Sequence, residues 1–504
     1  MVSIKKHKHR IVFYLLLNLA IAAMITFSSY VRLPLYAPKD YVYYGIHFLI
    51  LQFTVAGFAY ILTLNKWLFR VVFPVLFFLY ALFAFGVYSM GIAPTDAIIK
   101  ATMETKPDIV ADLISGPVVV YVLLILLVIA GLEWYYHKHR LYEKQPWFVF
   151  AWILAALLLF NLTEAYRPNT LISRMPYNLT WGVYNYFQKP EVHIDNITEH
   201  IIPGMEDDLR IILVLGESLR ADHLHLNGYS RPTTPHLDTM PNLISLKTVY
   251  TPLTYTGISL PQILTNQSIN DRQIHPPLYS IYTVASRAGL KSVWIGNQTP
   301  EKSYAIFIDE NTRKVLIDSM RDSYSFMKKK DEELLPVFRD FYRKKDYRLI
   351  TLHMIGSHWW YENRYPPAFR RFKPVIKSKF IPSNTPGEMI NSYDNTVLYF
   401  DYFLTKLIRD ISPGDNTLVV FLSDHGENLG EDGLWLHARH GKAATHPAAL
   451  IWFTSKFAEK HPAWVERMRS HAKDSLTTDF LYPTVLDLIR PQGFVYDTTA
   501  SIIR

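Results

Sequence analysis

The sequence predicts an α-helical membrane domain of five spans followed by an α/β catalytic domain. Three observations predict it. Apolar residues crowd the first third of the chain in five runs long enough to cross a bilayer, which takes roughly 20 apolar residues. In the remainder, short apolar β-rich runs alternate with longer helical patterns, the rhythm of a parallel sheet covered by helices. Two of the short runs end abruptly in metal-type ligands: Leu213-Val214-Leu215-Gly216-Glu217 and Phe421-Leu422-Ser423-Asp424-His425.

The spans are expected near residues 11–30, 41–64, 68–89, 118–136 and 147–165. The first lacks a small-residue cleavage site and is followed by further spans, so it reads as an uncleaved anchor. Lys5, Lys6, Lys8 and Arg10 precede it. Lys66 and Arg70 flank the second turn, and Lys138, Arg140 and Lys144 lie between spans four and five. The intervening loops carry Asp96, Glu104, Asp108 and Asp112 beside Lys100 and Lys106. The excess of basic residues puts the N-terminus in the cytoplasm. Five crossings then put everything after residue 166 on the far side. The expected division is a transmembrane domain over 1–166, an interfacial linker over 167–208 and a catalytic domain over 209–504.

In the linker, Trp181, Tyr184, Tyr186 and Phe187 cluster between polar residues. Amphipathic aromatics favour the membrane interface; the alternative is an ordinary packed connection. The chain has no cysteine. That excludes thiolate catalysis and thiolate metal sites, and leaves the catalytic domain to be held by its own core, for which it is large enough. No nucleic-acid partner is expected.

In the catalytic domain, strands are expected over 210–215, 292–296, 348–355, 417–422 and 449–453, with helices over 277–288, 332–343 and 391–411. Polar residues follow the strands: Glu217, then Asn297, then His353 and His358, then Asp424 and His425. Strand ends of this kind open onto the ligand crevice of an α/β sheet. Carboxylates and imidazoles there suit one divalent metal, zinc above all. A hydroxyl-rich turn holds Thr254, Thr256 and Ser259 before Pro261 and is placed to open a helix. A helix N-terminus suits an anionic oxygen, and a metal-bound threonine oxygen would be nucleophilic. The residues alone do not choose among the three hydroxyls, and capping is the ordinary use of each.

These residues resemble those of the phosphoethanolamine transferases of the alkaline phosphatase and sulfatase superfamily, a group that includes lipid A modifying and mobile colistin-resistance enzymes. Gly216-Glu217-Ser218-Leu219-Arg220-Ala221-Asp222 with Asn227-Gly228-Tyr229, Ser423-Asp424-His425-Gly426-Glu427, and His353 through His358 are similar to the group's motifs, in its order. The resemblance covers nearly the whole chain. It implies an alkaline-phosphatase/sulfatase-like catalytic fold and a zinc site of Glu217, Thr256, Asp424 and His425. Thr256 is the implied nucleophile, because the group's threonine lies five residues before a proline matching Pro261. His358 and His437 match positions that contact the phosphoryl group or a second zinc. Lys302, and with it Thr299, matches a substrate-binding position; His446 is a weaker candidate ligand.

The implied activity moves phosphoethanolamine from phosphatidylethanolamine, through a threonine-linked intermediate, to lipopolysaccharide. The implied place is the bacterial inner membrane, with the catalytic domain periplasmic, and a monomer is expected. Three departures bear on this. Gln262 follows Pro261 where the group has a disulfide cysteine, so the nucleophile turn is expected to be more mobile. Glu104-Thr105 is kept, but Ala101 and Ile109 stand where lipid A enzymes have Asn and Glu, which tilts the acceptor toward an inner-core sugar. The chain is also short for a lipid A enzyme. The alternatives are a glycerol-phosphate transferase of the lipoteichoic acid synthase type and a non-catalytic membrane sensor or scaffold. A sulfatase activity fits less well, since Ser259-Leu260-Pro261-Gln262 lacks the arginine such enzymes carry.

Overall fold

The computed structural model describes residues 2–31, 33, 35, 37–104, 113–143, 147–188, 192–271, 276–298, 300–317, 329–437 and 440–504. The chain divides into two compact units. The first takes residues 1–103, 114–189 and 380–382, and the second takes 104–113, 190–379 and 383–504.

The first unit is helical. Among the described residues, five helices are long and apolar enough to cross a membrane: His7–Ser29, Pro38–Thr63, Leu68–Met90, Gly116–Lys138 and Trp147–Tyr166. All five overlap the expected spans. Some of their buried polar groups find partners inside the unit, as a bilayer favours. Tyr14 shares a hydrogen bond with Thr63 at 3.0 Å, and Tyr136 donates to the Thr63 carbonyl at 2.7 Å. Gly57 faces Ala156 so closely that a Cβ on it would lie 2.1 Å from the alanine methyl. Small residues here let the second and fifth spans approach. A further helix, α1 (Tyr177–Gln188), buries Leu179 and Gly182 and exposes Trp181, Tyr184 and Phe187.

The second unit is built on a seven-stranded sheet. In chain order its strands are β1 (Leu209–Gly216), β2 (Leu243–Ser245), β3 (Lys291–Gly296), β4 (Arg313–Leu316), β5 (Tyr347–His353), β6 (Asn416–Ser423) and β7 (Ala449–Phe453). The spatial order is β2-β7-β6-β1-β5-β3-β4. Strands β6, β1, β5, β3 and β4 are parallel. Every residue of β1 and β6 is buried, so both faces of the central sheet are covered. A buried Leu, Ile or Val in such a strand contributes about 1.5–3 kcal/mol.

Two points correct the sequence reading. Strand β7 runs antiparallel to both β6 and β2, so the sheet is mixed. An apolar run buried on both faces carries no mark of direction. Strands β2 and β4 were not expected; at three and four residues they are too short to show a period.

Register sets the site. Gly216 of β1 pairs with Ser423 of β6, and Leu215 pairs with His353 of β5. Glu217 and Asp424 therefore leave the sheet side by side. Helix α2 (Thr256–Ile263) supplies the hydroxyl turn, and α3 (Pro386–Arg409) backs the loops. Helix α3 starts on a full capping box: Thr385 accepts from the Glu388 N–H at 3.2 Å, and Glu388 accepts from the Thr385 N–H at 2.8 Å.

Candidate active site

Glu217, Asp424 and His425 are each at most 1% exposed. One ligand atom from each lies within 4.8 Å of the others. A second trio, Glu217, His358 and His437, meets the same criterion and shares Glu217.

Asp424 uses Oδ1 to accept from the N–H groups of Ser218 at 3.2 Å and His425 at 2.8 Å. His425 donates Nδ1–H to the Gly426 carbonyl at 2.7 Å, which turns Nε2 inward. That Nε2 lies 3.2 Å from Glu217 Oε1 and 3.4 Å from Asp424 Oδ2. These are ion-pair distances, yet neither Nε2 nor Oδ2 has a hydrogen-bond partner among the described residues. A buried imidazole nitrogen and carboxylate oxygens that converge this closely form a donor set that a bound cation satisfies. The donor set of carboxylates, imidazole and hydroxyl suits zinc.

Thr256 is the first residue of α2, and its Oγ1 donates to Glu217 Oε2 at 2.7 Å. It lies against Asp424 as well. Ser259 is spent differently: its Oγ bonds the carbonyls of Leu253 at 3.3 Å and Tyr255 at 3.1 Å. The geometry thus separates hydroxyls that spacing left equal.

The charges are strongly coupled. Burial alone would lower the His425 imidazole, but Asp424 and Glu217 outweigh it and hold it up to about 10. Asp424 is pushed up to about 7 by burial and by the Glu217 charge. Burial would raise Glu217 too, but His425 beside it brings that carboxyl well below its ordinary value. His358 is driven down to about 3 by burial, with His437 and Arg364 adding to the shift.

Helix α3 holds two of these loops. Its Tyr393 hydroxyl donates to the Ser218 carbonyl at 2.7 Å and accepts from the Arg220 N–H at 2.9 Å. Its Thr396 donates to Ser357 at 2.7 Å, next to His358. Gly356 has φ +51°, and a Cβ there would stand 2.6 Å from the Glu217 carbonyl oxygen. Only glycine accepts that backbone at no cost.

The remaining expected residues fall as follows. Lys302 lies exposed in the turn before Ser303, whose Oγ is 2.9 Å from where a Cβ on Gly257 would stand. That turn therefore flanks the first turn of α2. Thr299, Thr105 and Ile109 lie outside the described residues. His446 turns its Nδ1 to the Lys442 carbonyl at 2.7 Å and belongs to neither trio. Gln262 is buried and doubly held, donating to Asp479 at 2.5 Å and accepting from Thr478 at 2.7 Å. These bonds tie α2 to residues 478 and 479.

Three neighbours escaped the sequence reading. Gln298 donates to Glu217 Oε2 at 3.3 Å and to the Met354 carbonyl at 2.6 Å. Ser218 donates to Glu217 Oε1 at 2.8 Å. Glu427 stands behind His437 at 3.3 Å. No spacing rule marks any of them, although Ser218 and Glu427 sit in motifs already singled out.

Comparison with known proteins places this chain in a family. The sulfatase family model matches residues 210–490. A model described as phosphoethanolamine transferase EptA/EptB matches residues 52–178. Phosphoethanolamine transferase EptA of Escherichia coli K12 is 27% identical over 374 residues, covering 70% of this chain and 68% of the relative. The integral membrane lipooligosaccharide phosphoethanolamine transferase A of Neisseria meningitidis has the same fold, with a TM-score of 0.83 at 21% identity and 98% of each chain covered. The C-terminal periplasmic domain of EptC from Escherichia coli, in complex with Zn, matches with a TM-score of 0.51 at 24% identity, over 62% of this chain and 90% of that one. The chain is thus a multi-pass membrane protein of the sulfatase family, and within that family it belongs to the phosphoethanolamine transferases.

Proposed function

We propose that the protein transfers phosphoethanolamine from phosphatidylethanolamine to lipopolysaccharide through a covalent intermediate on Thr256. The observation that carries the reading is the Thr256 hydroxyl, seated at a helix N-terminus with its proton on Glu217 and Asp424 beside it. Nucleophilic threonine needs an acceptor for its proton and a positive field for the incoming phosphoryl group. Glu217 Oε2 supplies the first, and the N-terminal dipole of α2 contributes to the second.

Glu217, Thr256, Asp424 and His425 would hold zinc, which when bound acidifies the threonine hydroxyl and offsets phosphoryl charge. The E. coli EptC domain solved with Zn supports that choice of metal. His358 and His437 face Glu217 from the open side, where they serve the phosphoryl oxygens and the leaving group. Lys302 and Thr299 would bind donor or acceptor. The acceptor is an inner-core sugar or lipid A, with the core sugar favoured by Ala101 and Ile109.

The division of the chain fits this chemistry. A lipid donor and a lipid acceptor are concentrated by an enzyme anchored among them. The exposed aromatics of α1 support an interfacial placement for that helix. We place the protein in the bacterial inner membrane as a monomer, N-terminus in the cytoplasm and catalytic unit in the periplasm.

The test is intact mass of the full-length protein after exposure to phosphatidylethanolamine. A gain of one phosphoethanolamine group in the unaltered chain, absent in Thr256→Ala, is the expected result. An adduct that survives Thr256→Ala would refute the nucleophile. An adduct formed only with phosphatidylglycerol would refute the donor.

A further inference from the structure

Between Glu362 and Glu388 the chain carries no carboxylate side chain, yet five of the ten residues from 370 to 379 are cations: Arg370, Arg371, Lys373, Lys377 and Lys379. Soluble surfaces ordinarily intersperse the two signs. Arg370 is spent on Glu362, 2.6 Å away. Arg371, Lys373 and Lys377 are exposed, and none has an ion-pair partner among the described residues. Lys377 acts on Glu388 only through its field.

The backbone of this run is fixed by α3 beneath it. Asn395 Oδ1 accepts from the N–H groups of Arg371 and Phe372, each at 2.9 Å, and Asn395 Nδ2 donates to the Phe372 carbonyl at 3.0 Å. Asn391 donates to the Pro374 carbonyl at 2.8 Å, and the Ser392 hydroxyl accepts from the Ile376 N–H at 2.9 Å. Asn391, Ser392 and Asn395 are buried residues of α3, and Ile376 is buried with them. The run thus turns its amides and one apolar side chain to the helix and leaves its cations in solvent. A surface ordered in advance loses little entropy when a partner arrives. The same helix reaches the site. Thr396, next to Asn395, donates to Ser357 beside His358. At its other end the run continues into residues 380–382, which belong to the membrane unit. Covalent continuity alone keeps the Lys377 Cα within about 11 Å of that segment.

We propose that Arg371, Lys373 and Lys377 form a docking surface for the acceptor and select a glycolipid that carries phosphate groups. The inference rests on the transfer reading above and names the charge class of its second substrate. The donor, phosphatidylethanolamine, is zwitterionic, so a run of cations gains little from it. A polyphosphorylated acceptor gains from each cation. The run therefore serves the second half-reaction and leaves the first alone.

The ping-pong order lets one protein report both halves. Full-length, zinc-loaded protein is placed in nanodiscs of phosphatidylcholine and phosphatidylethanolamine. The unaltered chain is compared with the triple variant Arg371→Gln, Lys373→Gln, Lys377→Gln, whose backbone bonds to α3 are untouched. Formation of the Thr256 adduct should be unchanged. The KM for purified lipopolysaccharide should rise by roughly ten-fold or more at low salt, since each cation near a charged lipid surface is worth about five-fold. The kcat should hold, as a lost docking contact requires. The gap should close at about 1 M salt, where charges are screened within about 3 Å. The charge-keeping triple Arg371→Lys, Lys373→Arg, Lys377→Arg should behave as the unaltered chain. The single substitutions should give smaller rises of the same kind, and they carry the test if the triple variant fails to accumulate. An unmoved KM would overturn the proposal, as would an equal loss of adduct formation. A rise that appears only once phosphatidylglycerol is added to the discs would assign the surface to the bilayer and overturn it too. If the unaltered chain forms the adduct and the KM does not move, this inference falls and the transfer reading stands. If the unaltered chain forms no adduct, both fall.

Discussion

Glu217 is bonded at both carboxylate oxygens before any cation arrives, from Ser218 at 2.8 Å and from Thr256 at 2.7 Å. Its third neighbour, His425, carries a proton that the two carboxylates hold up to about 10. A metal must displace that proton, so its apparent affinity falls as pH falls through neutrality, by about ten-fold per unit for one proton released. Calorimetric zinc titrations at several pH values, in buffers of different ionisation enthalpy, should show both the slope and the released proton. A flat profile would contradict the ligand set. At this scale the sequence was partly legible. Strand-end carboxylates and imidazoles stand out because a hard ligand after an apolar run has little other use. The hydroxyls did not, because Ser259 and Thr256 differ only in where the chain turns them. Gln298 was illegible: it reaches Glu217 because β3 lies beside β5, a fact of sheet order.

Among the elements, α3 does the most to fix the site without contributing a reacting group. Tyr393→Phe removes the bonds to the Ser218 carbonyl and the Arg220 N–H, leaving both buried. It should cost about 1–3 kcal/mol, read as a lower melting temperature, together with weaker zinc retention. Gly356→Ala should be worse. It adds left-handed strain of about 1–2 kcal/mol to a clash with the Glu217 backbone, so the variant is expected to lose zinc even where it folds. Normal zinc content in that variant would show that the loop can shift. The long strands were legible to within two residues, since their runs are apolar throughout and end on polar ligands. The direction of β7 was not, because direction is set by the connection before a strand and leaves no trace in its composition.

For the molecule as a whole, acid stability has an identifiable source. Partial burial raises the Asp208 carboxylate, but Lys456, Lys460 and Asn416 outweigh it and hold it below its ordinary value. A carboxylate lowered in the folded state stabilises above its unfolded pKa of about 3.9 and stops doing so as pH falls through the folded value. Melting temperature should therefore drop below about pH 4. Lys460→Met should lower it at neutral pH and shrink the acid loss; an unchanged pH profile would remove Asp208 from the account. The two-part plan was legible because a bilayer imposes length and composition on whatever crosses it. The edge strands and the loop contacts were not, since they depend on partners distant in sequence.

Gln262 gives α2 its anchor through amide hydrogen bonds to Asp479 and Thr478, in a chain without a single thiol. The catalytic turn consequently has no redox setting. Its assembly requires no oxidant and no disulfide isomerase. The protein should form its adduct unimpaired in excess phosphine reductant and should accumulate correctly folded in a host that cannot make disulfide bonds.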